Sequence, residues 1–178
     1  MRRPDRTISN VGEFVAELRK DKSNNSPIWC RGQADASWKL IPSIGRNPKH
    51  IEAELTIIKI FKQSSRPYLL ERPNTEWEWI SLMQHHRAPT RLLDWTERPL
   101  VALYFVVSEE PCDPGDGALW MLDPVALNRQ AGHRRAFDQD VLAFDVDEAL
   151  GQYLPDQVNA RKVDLDPVAA NRKRWTQL

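Results

Sequence analysis

The spacing of apolar residues along the chain predicts four helices. Apolar positions recur every three or four residues in 11–20, 48–66 and 76–85, which places them on one side of an amphipathic helix. The stretch 100–107 is apolar at nearly every position, and this pattern predicts a helix that is buried all round. Prolines mark the boundaries, because Pro89 ends the third helix and Pro99 lies in the first turn of the fourth.

Shorter apolar runs bounded by glycine, proline or aspartate predict strands. The clearest runs are 27–32 and 118–122, and 141–145 is a further candidate. The segments 38–41 and 90–95 are predicted to be extended. These elements predict an α+β fold, with a small mixed or antiparallel sheet and several flanking helices. We expect a single domain over residues 1–178, with its core at 10–178.

Charge and composition exclude some classes of function. The 178 residues carry 25 basic and 25 acidic side chains, whereas a dedicated binder of duplex DNA or RNA normally has a basic excess. The end of the chain is locally basic, with Arg172, Lys173 and Arg174 adjacent. We interpret this run as a solvated helix face, with contact to a nucleic acid or a phosphate as the alternative.

The location of the protein is also indicated by composition. Cys30 and Cys112 are too few and too far apart for a disulfide framework or a zinc cluster, which favours a reducing cytoplasm. The charged N-terminal residues precede no apolar signal-peptide core. No window approaches the roughly 18 apolar residues that a membrane span needs.

A polar segment between the third and fourth predicted helices carries more hydrogen-bonding groups than a connection needs. Loops that rigid elements hold in place often carry function, so we expect a polar binding pocket here. Its candidate residues are Gln84, His85, Thr90, Arg91, Asp94, Trp95 and Thr96. The alternative is structural: Asp94 or Thr96 caps the following helix, and Arg91 pairs with Asp94.

Metal binding and nucleophilic catalysis are poorly supported in this segment. His85 and His86 are adjacent, so they point to different sides of a helix and no metal site is expected. A His–Asp pair with Asp94 is open as a catalytic arrangement, but no nucleophile elbow or glycine-rich phosphate loop occurs in the chain.

Three further site candidates, Arg31, Gly32 and Gln33, lie at the end of the first predicted strand. The planar guanidinium of arginine suits a phosphate or a carboxylate. Glycine lets the backbone turn or lets a ligand approach closely. The alternative for Arg31 is an ordinary salt bridge.

At these residues the chain resembles the FRG domain family, a module of many bacterial and phage proteins named for its aromatic-Arg-Gly motif. The resemblance rests on Trp29–Gln33, Trp38–Ser43, Met83–Thr96, Pro99–Phe105 and Asp116–Asp123. Cys30 stands where the family usually has Phe or Tyr. Family members usually continue beyond a segment like Arg172–Gln177 into a further strand, so we expect the chain to lack a final strand or two.

A weaker analogy connects this pattern with ADP-ribosyltransferases. Arg31-Gly32 is similar to their first element, and Thr90 with the helix from Pro99 is similar to the second. The analogy implies that Arg31 clamps the pyrophosphate of NAD and that Thr90 positions the nicotinamide ribose. Gln177 is the nearest counterpart of the catalytic Glu, and an amide does not replace that carboxylate. NAD is therefore a candidate cofactor that this chain binds without turning it over.

Two functions from different classes follow from the resemblance. The first is nucleotide binding in a polar pocket, as in an ADP-ribosyltransferase-like or degenerate enzyme. The second is a non-catalytic binding or sensor module in a phage-defence or toxin system, and a nuclease-like or other hydrolytic activity is a third alternative. A carboxylate lining the pocket favours the first, and a conspicuous exposed apolar patch favours the second.

Overall fold

A computed structural model describes residues 6–21, 27–108, 115–131 and 141–160. Seven α-helices and two strands are defined in these ranges. They are α1 (Val11–Asp21), β1 (Trp29–Gln33), α2 (Pro48–Glu52), α3 (Glu54–Ser65), α4 (Glu76–His85), α5 (Pro99–Ser108), β2 (Ala118–Leu122), α6 (Pro124–Gln130) and α7 (Pro155–Ala160). The fold is α+β, as predicted.

Local capping explains why the helices begin where they do. Asn10 accepts a hydrogen bond from the backbone N–H of Glu13 at the start of α1 (2.9 Å). Thr75 and Glu78 form a reciprocal capping box at the start of α4, which satisfies two backbone donors that the helix itself leaves unpaired. The single helix predicted over 48–66 is two helices, α2 and α3, separated at Ala53.

Strand β1 is the centre of the small sheet. It pairs antiparallel with β2 in a register that places Arg31 opposite Trp120. On its other side, Cys30 and Thr96 exchange both backbone hydrogen bonds, at 2.7 and 2.9 Å. The sheet therefore holds the segment before α5 directly against the strand that carries Arg31.

The strand predicted at 141–145 is wrong. Residues 144–146 form a turn, in which Asp145 has a φ of 62°, a left-handed conformation that a β-strand excludes. The carboxylate of Asp147 accepts a hydrogen bond from the backbone N–H of Ala143 (2.7 Å), which stabilises the turn locally. Apolar composition alone did not reveal this short-range bond.

The prediction that α5 is buried all round is also wrong. One side of the helix packs on β1 and β2, and Ala102 on that side is fully buried. The opposite side exposes an apolar surface, because the two strands cover only one side of the helix. We call this surface the α5 face; it comprises Leu100, Val101, Tyr104, Phe105 and Val107.

The described residues include no helix with both the length and the apolar content needed to span a bilayer. Even the uncharged helix α5 comprises 10 residues, about half of what a transmembrane helix requires.

Close contact between β1 and α5 depends on Gly32. A Cβ atom placed on Gly32 would lie 1.9 Å from the carbonyl oxygen of Ala102 and 3.0 Å from Cγ2 of Val106. Backbone atoms of a packed helix cannot move aside without shifting the helix, so this glycine sets the distance between the two elements.

We expect Gly32→Ala to destabilise the fold by about 1–3 kcal/mol, because overpacking must displace α5 from the sheet. The matched control is Gly151→Ala, since an added Cβ there meets nothing within 4 Å. Urea unfolding followed by circular dichroism measures both variants. Equal unfolding free energies for the two variants would contradict this account of Gly32.

Candidate functional site

Helix α4 ends in a Schellman motif with an unusual residue. The N–H of Ala88 donates to the carbonyl of Met83 (2.9 Å), and the N–H of Arg87 donates to the carbonyl of Gln84 (3.0 Å). This motif requires a left-handed residue, normally glycine. Here that residue is Arg87, with a φ of 59°.

The buried hydroxyl of Thr90 connects the following segment to α4. Thr90 is 3% exposed. Its hydroxyl donates to Oε1 of Gln84 and accepts from the N–H of Leu92 (3.2 Å). Its backbone N–H donates to the hydroxyl of Ser43 (3.0 Å), and its carbonyl accepts from the N–H of Ile44 (3.2 Å). All these groups lie in or near the core, so Thr90 fixes this segment rather than facing solvent.

The side chain of Gln84 connects Thr90 to Asp94 by hydrogen bonds. Its Nε2 donates to Oδ2 of Asp94 (2.9 Å), while its Oε1 is engaged by Thr90. Arg31 contributes from β1, because its Nη1 donates to the carbonyl oxygen of Asp94 (2.7 Å). The structure therefore brings four of the sequence-predicted site residues into one network: Arg31, Gln84, Thr90 and Asp94.

Arg91 pairs with Glu54 rather than with Asp94, so the Arg91–Asp94 pair that the structural alternative proposed is wrong. Nε and Nη2 of Arg91 donate to the two carboxylate oxygens of Glu54 at 2.7 and 2.6 Å. Glu54 is 2% exposed. A buried carboxylate requires such a partner, because an unpaired buried charge is strongly destabilising. Glu54 was missed in the sequence because it lies 37 residues before Arg91.

The remaining candidates from the sequence hold the strands and α5 together. The buried side chain of Gln33 accepts a hydrogen bond from Nε1 of Trp120 (2.6 Å). The hydroxyl of Thr96 accepts from the N–H of Arg98 (3.1 Å), immediately before α5 begins. This bond agrees with the structural alternative proposed for Thr96. Trp95 is half-buried in the same segment.

An open cleft lies between the C-terminal end of α4 and the segment 92–94. We call it the first cleft; its volume is about 460 Å³. Of the site residues predicted from the sequence, Gln84, His85 and Asp94 line it. The cleft is also lined by Ser81, Arg87 and Leu92. Arg87 was not among the predicted site residues, although its position between a helix end and Pro89 was a usable signal.

In the described part of the chain, His85, His86 and Cys30 form neither a metal centre nor an activated thiol. His85 and His86 meet edge to face, with ring centroids 5.3 Å apart. Among the described residues, no group of three His, Cys, Asp or Glu side chains is arranged to hold a metal ion. Burial raises the pKa of the Cys30 thiol above its usual value, so this thiol is protonated and unreactive at neutral pH.

Comparison with known proteins identifies the family. The family model of the FRG domain matches residues 26–113. These residues of the chain belong to the FRG domain family. No curated protein and no solved structure matches the chain.

The matched range includes every element of the first cleft. It begins before β1, runs through α2–α4 and the polar segment, and ends after α5. The residues that line the first cleft, and the network of Arg31, Gln84, Thr90 and Asp94, thus lie within the matched range. The basic run at 172–174, Cys112 and Gln177 lie outside the described residues.

Removing one partner of the buried ion pair should destabilise the FRG domain. We expect Arg91→Met to lower the free energy of unfolding by about 3–5 kcal/mol, because Glu54 is left charged and buried. The double variant Glu54→Leu/Arg91→Met should recover much of this loss, because both members of the pair are then replaced by apolar side chains.

The control for this experiment is Glu76→Gln, which breaks the more exposed pair between Lys62 and Glu76. That pair should contribute at most about 1 kcal/mol. Urea unfolding of all variants gives the comparison. A loss for Arg91→Met no larger than that for Glu76→Gln would show that the Glu54–Arg91 pair does not stabilise the fold.

Proposed function

We propose that the first cleft binds a nucleotide, and that NAD or a compound of its class is the ligand. The observation that carries the proposal is the conformation of Arg87. A non-glycine residue in the left-handed region is disfavoured by roughly 1 kcal/mol, yet Arg87 occupies the position where glycine would complete the Schellman motif. Strained residues of this kind cluster at binding and active sites.

The guanidinium of Arg87 is available for a ligand. Arg87 lines the cleft, and within the described part of the chain no hydrogen bond or ion pair engages its side chain. A guanidinium presents parallel donors that match two phosphate oxygens. A phosphate in the cleft would therefore gain a charge-assisted interaction that the protein does not already use internally.

Asp94 supplies the complementary group for a ribose. Its Oδ2 is held by Gln84, and its backbone carbonyl is held by Arg31, so the carboxylate is positioned before any ligand arrives. A fixed carboxylate accepts hydrogen bonds from ribose hydroxyls, and prior positioning reduces the entropy lost on binding. His85 adds an exposed imidazole beside the same cleft.

This arrangement favours the nucleotide-binding candidate, because a carboxylate lines the cleft. An ADP-ribosyltransferase-like reaction would need a carboxylate to orient a ribose hydroxyl, and Asp94 is the residue in this cleft with that chemistry. The proposal is limited to binding, since Gln177, the nearest counterpart of the catalytic Glu, lies outside the described residues.

The decisive experiment compares the wild type with Arg87→Gly by calorimetry with NAD and ADP-ribose. Loss of the guanidinium should weaken binding about tenfold or more, equivalent to at least roughly 1.4 kcal/mol. The same substitution should leave the fold as stable as before or stabilise it by up to about 1 kcal/mol, because glycine is unstrained at this position.

A lower affinity in a protein of equal or greater stability separates binding from folding. Arg66→Ala is the control, since it removes the same charge from an exposed position that does not line the cleft. Wild-type protein that binds neither ligand at millimolar concentration, or Arg87→Gly that binds them as tightly as the wild type, would refute the proposal.

A second candidate function, a non-catalytic module that contacts a second copy of the chain, is favoured by the α5 face. Tyr104 is 62% and Val107 74% exposed, and helix α5 contains no charged residue. Two such faces can meet about a twofold axis without placing like charges together. In this second proposal, the protein acts as a binding or sensor module in a phage-defence or toxin system.

Self-association through α5 is tested by sedimentation over a wide range of protein concentration. The wild type should form a concentration-dependent dimer, and Tyr104→Glu/Val107→Glu should remain monomeric, because burying two carboxylates at the interface is unfavourable. Tyr68→Glu is the control, since Tyr68 is 85% exposed outside α5. A wild type that is monomeric at every concentration would exclude this function.

A further inference from the structure

A second cleft adjoins the first along α4. Its volume is about 430 Å³, and Ser81 lines both clefts. Trp77, Ser81 and Gln84 recur at the spacing of one helix face, so the two clefts lie along the same side of this helix, and we call the two together the groove. From Glu78 to His85 the groove extends about 10 Å along the axis, since an α-helix rises about 1.5 Å per residue.

An aromatic pair forms one wall of the second cleft. Trp77 and Phe144 are stacked, with ring centroids 4.4 Å apart and an interplanar angle of 23°. Trp77 is buried, whereas Phe144 is 46% exposed. One ring face of Phe144 therefore rests on Trp77, and its other face is available to stack on a planar ligand group.

The turn that carries Phe144 is fixed in place. The hydroxyl of Thr75, the N-cap of α4, donates to Oδ2 of Asp145 (2.8 Å). Asp145 is the second non-glycine residue with a positive φ in the described part of the chain, beside Arg87. Each of the two lines one of the clefts.

The two clefts differ in charge. Three carboxylates, from Glu71, Glu78 and Asp145, and one guanidinium, from Arg72, line the second cleft. The excess negative charge disfavours a phosphate there and favours a neutral or positively charged ring. A cationic ring stacked on an aromatic side chain gains a further electrostatic attraction. The phosphates of the same ligand would lie at Arg87, in the first cleft.

We infer that the second cleft is a subsite for a cationic heteroaromatic ring, and that the ligand of the groove is a dinucleotide carrying such a ring, as oxidised NAD does. This inference rests on the proposed nucleotide binding in the first cleft. It assigns to Phe144 the role of a stacking surface, and to the neighbouring carboxylates a preference for positive charge on the ring.

Three probes distinguish the subsites by calorimetry. Oxidised NAD carries the cationic ring, NADH carries a neutral one, and ADP-ribose carries none. We expect oxidised NAD to bind the wild type roughly fivefold or more tightly than either of the others, from the usual size of a cation–aromatic interaction. Glu71→Gln should reduce this preference, because it removes one negative charge from the cleft.

Phe144→Leu is the main test of the stacking surface. Leucine keeps an apolar contact with Trp77 but offers no ring, so the preference for oxidised NAD should disappear while the affinity for ADP-ribose stays unchanged. Phe105→Leu is the matched control, since Phe105 is an exposed aromatic residue on α5, outside both clefts. Thermal unfolding of each variant checks that the fold is intact.

The outcomes separate this inference from the proposed function. Equal affinities of the wild type for the three probes would overturn the second subsite and leave nucleotide binding in the first cleft intact. An equal loss of affinity for all three probes in Phe144→Leu would assign Phe144 to the fold and would also overturn the subsite. Absence of binding by every probe would refute both.

Discussion

The hydroxyl of Thr90 imposes the constraint on which the candidate site depends. A hydroxyl in the interior must be hydrogen-bonded, since leaving it unpaired costs about 1–3 kcal/mol. Gln84 meets this need with its carbonyl oxygen, which leaves its amide nitrogen directed at Asp94. A carboxamide is both donor and acceptor at fixed separation, so one buried hydroxyl sets the orientation of a carboxylate at the edge of the first cleft. Arg31 then fixes the backbone of the same residue from β1.

Some helix boundaries that short-range chemistry decides were predicted from the sequence. The end of α4 was predicted from Pro89, and the start of α5 was predicted from Pro99. Features that depend on distant residues were not predictable in the same way. The exposure of the α5 face, for example, depends on how many strands cover the helix. The turn at Asp145 was missed for a different reason: it depends on a short-range hydrogen bond from Ala143 to Asp147, which the apolar pattern of the sequence does not register.

The candidate site, too, was predicted only in part from the sequence. The concentration of polar residues at 84–96 indicated a constructed region, but it did not distinguish groups that face a cleft from groups that hold the fold. Arg91 forms an ion pair with Glu54, and Gln33 accepts a hydrogen bond from Trp120. Gly32 packs closely against the backbone of α5. His85 and Asp94 face the cleft. Which direction each side chain takes depends on partners from other elements, and a single sequence does not reveal them.

Arg87 and Asp145 show where the chain departs from its most stable local choice. Glycine would adopt either backbone conformation without strain, and asparagine tolerates it better than arginine does. Both side chains nevertheless lie on one groove, at opposite ends of α4. Glycine at the end of α4 would make the fold more stable, at the loss of one surface charge. Arginine at that position is explained if its guanidinium contributes more to a bound ligand than the roughly 1 kcal/mol that its backbone conformation costs.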